Sequence, residues 1–239
     1  MTALLRYQTA ILLRSHRWIF PLIAYGLLIA VGAAGSTSLA ETLDWTGAML
    51  VPVVAFLTRG MLTAEPDAAR ACVCAAAGPV RAQLATLIVP LGAGAVLAVA
   101  ATVFDVLTAE AAAKAPVSGL PGKVTAAADH PGIVLAGLLI AVVCLLVGSA
   151  VGALCNPPLL RHPAAAMLST LAAIILALAA GVSPASAAIS HSTAQSASPL
   201  AANWPGAGPL IGAACLVVVT WAVSVIAGTR RDTWSVSSD

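Results

Sequence analysis

Charge is what this sequence has least of. Only 8% of its 239 residues are Asp, Glu, Lys or Arg, against about 25% in an ordinary water-soluble domain, and that excludes a soluble globular fold. Lysine is confined to Lys114 and Lys123. The net charge of +2 says little, because placement matters more than the sum, and nucleic acid is not among the expected partners. No G-x-x-x-x-G-K-[ST] run occurs, and no polar segment is long enough to be an ATPase domain, so the chain has no nucleotide site of its own. The apolar runs lack the nucleophile–base pairs or metal clusters that an intramembrane protease or transferase needs, and no catalytic residue is assigned. Gly181-x-Ser183 and Gly148-Ser149 have no apposed histidine and read as packing or turn residues. The five cysteines, Cys72, Cys74, Cys144, Cys155 and Cys215, include no metal-type pair of pairs. They are expected to be small buried hydrophobes, with neither disulfide nor metal.

What is there is oil. The chain is 60% hydrophobic with a mean hydropathy of +1.00, the composition of an all-α protein embedded in a membrane. Six spans are expected, over residues 18–34, 45–62, 84–107, 133–154, 164–182 and 209–227, each long enough to cross a bilayer or nearly so at about 1.5 Å per residue. The first apolar run ends at Gly32–Gly35 without a cleavage site and is followed by more spans, so it is read as a span rather than a signal peptide. Polar loops are expected at Ser36–Asp44 and Glu110–Asp129, a tight turn at Asn156–Pro163, a long outer loop at 183–205 and a short tail from Thr229. Pro90, with Gly92 and Gly94 beside it, predicts a kink in the third span.

Two stretches stand apart. In residues 1–17, Arg6, Arg14 and Arg17 share a sector of roughly 80° when plotted at about 100° per residue, with Leu4, Leu5, Ile11 and Leu12 opposite. That pattern predicts a basic amphipathic helix lying in the headgroup plane. Between the second and third spans, Arg59 to Arg81 form a polar island. Pro66 suits a first helical turn, Asp67 suits the positive end of the helix dipole, Ala68–Ala77 favours helix, and Gly78-Pro79 is a stop. A short helix over 65–77 results, too short to span.

If the N-terminus is cytoplasmic, all nine arginines fall in inside segments and only the two lysines fall outside. This bias predicts that both termini and the island face the cytoplasm. Within the spans, Asp105 is the nearest thing to a membrane-depth ionisable group, and its place near a span end reads as an interfacial carboxylate reached by water. Gly92, Gly94, Gly137, Gly148, Gly152, Ala172, Ala173 and Gly212 could serve close helix packing or simply reflect an alanine-rich composition.

The order of elements, together with Leu13–Pro21 (LRSHRWIFP) and Leu57–Ala85 (LTRGMLTAEPDAARACVCAAAGPVRAQLA), resembles the permease subunits of ABC exporters of the second structural type, more narrowly those of actinobacteria. The likeness of order covers the whole chain, and the likeness of sequence is confined to those two stretches. The resemblance implies that Arg6, Arg14 and Arg17 belong to an elbow helix. It implies that 65–77 is a coupling helix docking on a separate ATP-binding subunit through Glu65, Asp67 and Arg70, and that 183–205 is an outer re-entrant region. It further implies a second permease, copy or paralogue, ATP and Mg held by the partner ATPase rather than by this chain, and a place in the plasma membrane. Two other readings stay open, a secondary carrier and a non-transport assembly or sensor subunit; the scarcity of buried charge counts against the carrier.

Overall fold

The computed structural model describes residues 1–16, 18–35, 38–114, 131–155, 163–179 and 207–236. The described residues form eight helices and no strand: α1 Thr2–Arg14, α2 Ile19–Gly35, α3 Leu39–Leu62, α4 Asp67–Ala77, α5 Pro79–Lys114, α6 Pro131–Leu154, α7 Pro163–Ala179 and α8 Ala207–Val236. Four segments are long and apolar enough to cross a membrane, Leu39–Leu62, Pro79–Glu110, Gly132–Leu154 and Gly208–Ile226. The α1–α2 pair, bent by 73°, makes a fifth if it is counted as one span. The chain is a multi-pass helical membrane protein. The expectation of six spans is met only to this extent: α2 and the described part of α7 have 17 residues each, about 26 Å, against a hydrocarbon core of about 30 Å.

Several boundaries differ from the sequence reading, mostly in the direction of more helix. The loop expected at Ser36–Asp44 is helical from Leu39, because Ser38 caps α3 by accepting the Glu41 N–H at 3.2 Å. α5 starts at Pro79, takes in Arg81 and continues through Pro90 to Lys114, so Glu110–Lys114 is helix rather than loop. Glu-Ala-Ala-Ala-Lys is polar but made of strong helix formers. α8 likewise runs on to Val236, carrying the expected tail. The island helix begins at Asp67 instead of Glu65, with Pro66 extended (ψ 144°) in the cap position rather than inside the first turn. It ends where expected, at Gly78, whose φ of 86° suits glycine and lets α5 start at once in a new direction. Arg17, residues 115–130 with Lys123, residues 156–162 with Arg161, residues 180–182 of the expected fifth span and the 183–205 loop lie outside the described residues.

α3 is the centre of the bundle. Leu50, Val51, Val54 and Ala55 are wholly buried, and α2, α5, α6 and α7 pack around it. Its closest partner is α6. A Cβ on Gly148 would lie 2.7 Å from Val51 O, and one on Gly152 2.6 Å from Ala55 O, so these glycines set the spacing of the two backbones. The contacts climb together, Leu43 with Gly137, Val51 with Gly148 and Ala55 with Gly152, so α3 and α6 run parallel. Against α5 the order reverses: Val54 meets Gly94, and Thr46 lies beside Asp105. One end of the bundle therefore gathers the close of α3, α4 and the start of α5, and α1 joins it there through Gln8.

Two of the five cysteines, Cys144 and Cys155, are buried as expected, whereas Cys72 and Cys215 are exposed and Cys74 is intermediate. Alanine-rich helices present small side chains outward as readily as inward.

Candidate functional site

The arginine-bearing end of the bundle holds a polar connection across three helices. α4 is amphipathic in an unusual way. Ala68, Ala71, Cys72, Ala75 and Ala76 form its exposed face at i, i+3, i+4, i+7 and i+8, while Ala69, Arg70, Val73, Cys74 and Ala77 turn toward the protein. Arg70 points inward: its Nη2 donates to Gln83 Oε1 on α5 at 2.7 Å. Gln83, buried, passes the connection on through Nε2 to Ser224 Oγ on α8 at 3.1 Å. Two consecutive helices, α4 and α5, are thus tied to the distant α8 by one amide that accepts on one side and donates on the other. The bond from Arg70 is charge-assisted, the stronger kind.

Glu65, in the turn before α4, is held from the other side. Gln8 Nε2 on α1 donates to Glu65 Oε2 at 3.4 Å, while the second carboxylate oxygen is buried without a partner. Tyr7 stands beside the same carboxylate, and desolvation, followed by the negative charge of Glu65, pushes its phenol above its ordinary range. Asp67 opens α4, where a carboxylate suits the helix dipole. Arg59, at the close of α3, is buried and its Nη1 donates to Thr170 Oγ1 of α7 at 3.3 Å, tying α7 to the same end.

α1 shows the division expected of it. Arg6 and Arg14 are exposed, Leu12 enters the main core, and Leu4, Leu5 and Ile11 are half-buried. His16 follows with φ 53°, and the chain breaks direction there before α2.

Of the residues singled out from sequence, the structure bonds Glu65 to α1 and Arg70 to α5, and it places Arg6 and Arg14 on the exposed face of α1. The sequence reading missed Gln83, Ser224, Gln8 and the Arg59–Thr170 bond. Gln83 could have been noticed as a lone amide inside an apolar run; Ser224, 141 residues away, gives no local signal.

One reading is overturned. Asp105 is not an interfacial carboxylate reached by water: it is 1% exposed, enclosed within the bundle. Asp44, expected in a loop, is likewise buried on α3. Helix rotation decides this, and distance from a span end does not reveal it.

No known protein family, curated protein or solved structure matches this chain.

Proposed function

We propose that the chain is the membrane-spanning subunit of an ATP-driven ABC exporter of the second structural type. In this reading it forms the translocation path with a second permease, copy or paralogue, and is driven by separate ATPase subunits that hold ATP and Mg. The observation that carries the reading is α4: an 11-residue helix, too short to span, with one face bonded into the bundle and the other presenting small side chains outward. Such a helix suits a lever, since a push on its outer face reaches α5 and α8 through Arg70, Gln83 and Ser224.

The rest of the assignment follows from the resemblance and the arginine bias. α1 serves as the elbow helix, α2 and α7, 17 residues each and at the short end of the length that crosses a bilayer, complete six crossings, and the arginine-rich end with both termini faces the cytoplasm across the plasma membrane. ATP binding closes the ATPase dimer, α4 moves with the surface it sits on, and the spans rock so that the path opens to the other side. Cargo must bind the two arrangements with different affinity, or no work is done on it. In this reading Glu65, Asp67 and Arg70 are the residues assigned to polar contact with the partner, Glu65 and Arg70 being bonded inward to Gln8 and Gln83 in the chain on its own.

The test is purification of the tagged protein from its native membrane in mild detergent, with mass spectrometry of what accompanies it. The expected result is a stoichiometric ATPase that is lost when Ala71→Arg and Ala75→Arg charge the outer face of α4, a change that leaves the inward bonds alone. Recovery without any ATPase, repeated after crosslinking, would sink the proposal and return the secondary carrier or non-transport subunit.

A further inference from the structure

Away from the arginines, the bundle encloses a second polar site. Neither carboxyl oxygen of Asp105 has a hydrogen-bond partner among the described residues. Thr46 faces it from α3 and is also buried, its hydroxyl close enough to act on the carboxyl group but outside hydrogen-bond geometry with it. Tyr25 comes in from α2, and its hydroxyl donates to Thr46 O at 3.3 Å, fixing the stretch of α3 that carries the threonine. Beside Asp105, Val106 and Ala109 of α5, with Ile133 and Val134 of α6, pack on the buried Leu39 and Leu43 of α3, which makes the neighbourhood apolar.

The surroundings offer little positive charge. The described residues of α2 and α6 have no charged side chain. α3 contributes Glu41 and Asp44, the latter close enough to Cys144 of α6 for its charge to act on that thiol. On α5 itself, Glu110 and Lys114 stand about 8 and 14 Å further along the helix. Arg59 is thirteen residues from Thr46 on α3, about 20 Å at the helical rise. A carboxylate withdrawn from water is not left bare, and ionisable groups enclosed inside a membrane bundle commonly mark routes or sites for ions.

We propose that Asp105 and Thr46 form the binding site of a small cation, a proton or Na+. A proton bonds to one Asp105 oxygen, and the resulting acid hydroxyl donates to Thr46 Oγ1. Na+ is held instead by lone pairs of both carboxyl oxygens and of Thr46 Oγ1. In both cases one positive charge is taken up and the site becomes neutral. Because its two halves sit on α3 and α5, occupancy favours the arrangement in which these helices are packed, and separating them at this end releases the cation. The proposal goes beyond the ATPase-coupled reading and stands or falls without it.

The test is the thermal unfolding of the purified full chain, followed by tryptophan fluorescence. One series varies pH at fixed ionic strength, and another replaces choline chloride with NaCl at fixed pH. For a proton, the unfolding equilibrium of wild type shifts toward the unfolded state by up to about tenfold per pH unit as pH rises. For Na+, it shifts toward the folded state by up to about tenfold per tenfold increase in NaCl. Asp105→Asn removes whichever response is present. Parallel responses of wild type and Asp105→Asn in both series overturn the site. Should Asp105→Asn fail to fold, Thr46→Val is compared in its place: a weakened response is expected, and one equal to wild type overturns the site.

Discussion

The α3–α6 seam and the polar end around α4 hold helices together by opposite means. Along the seam the backbones touch. Gly148 and Gly152 leave no room for a methyl group against Val51 and Ala55, and the neighbours Ile140, Val143 and Val147 are buried. Between membrane helices the attraction is close packing, because lipid is as apolar as leucine, so a seam without side-chain slack is strong and has one geometry. At the polar end the contacts are few and directional: one guanidinium, one amide and one hydroxyl join α4, α5 and α8. Hydrogen bonds between membrane helices contribute about 0.6 kcal/mol each on average. The seam is therefore suited to stay fixed, and the polar end to move and re-form.

Filling the seam is the largest way to break that contrast. Gly152→Leu should abolish recovery of monodisperse protein, because the atom in the way is a backbone carbonyl oxygen that cannot rotate aside. Gly148→Ala and Gly152→Ala should each cost about 1–3 kcal/mol, the usual range for overpacking. Gly92→Ala on α5, where nothing lies within 4 Å of the added carbon, should be tolerated. Size-exclusion profiles and melting curves in detergent decide it; equal melting of Gly92→Ala and Gly152→Ala would mean that α3 and α6 are not in backbone contact.

A smaller effect sharpens the other side. Arg70→Ala and Ser224→Ala should each lower stability by about 0.5–1 kcal/mol. Gln83→Leu should cost more, about 1–2 kcal/mol, because it strands both neighbours at once. Arg70→Ala in a Gln83→Leu background should then add almost nothing. A double-mutant cycle reads this directly, and strict additivity would show that the three side chains do not act as one connection.

How much of this was legible in the sequence depends on whether the signal was local. α1, α4 and α6 were found nearly at their true limits because arginine phase, a Pro–Gly frame and a continuous apolar run are local signals. The ends of α3, α5 and α8 were missed because hydropathy marks where oil stops, while helix continues wherever Ser38 can cap it or Glu110–Lys114 can propagate it. Asp105 and Asp44 were misplaced for a related reason. Position along a span gives depth, but only packing tells whether a side chain faces lipid, water or another helix. The Arg70–Gln83–Ser224 connection joins residues 13 and 141 positions apart, and no one-dimensional pattern records such a meeting.

The smallest expected effect separates two glutamines. Gln83 is buried with both ends of its amide bonded. Gln8 is buried as deeply, yet its oxygen has no partner and its nitrogen makes a single contact of 3.4 Å to Glu65. Burying an amide half-satisfied costs about as much as one good hydrogen bond returns, and a bond at that length is weak. Gln8→Leu should therefore change stability by less than about 0.5 kcal/mol, with either sign, while the volume it fills beside α5 is kept. A loss as large as that of Gln83→Leu would show that α1 is fastened by its polar contact with Glu65. A neutral result would show that the Gln8–Glu65 contact does not fasten α1, which leaves packing through Leu12 and the approach of Tyr7 to Glu65 to hold it.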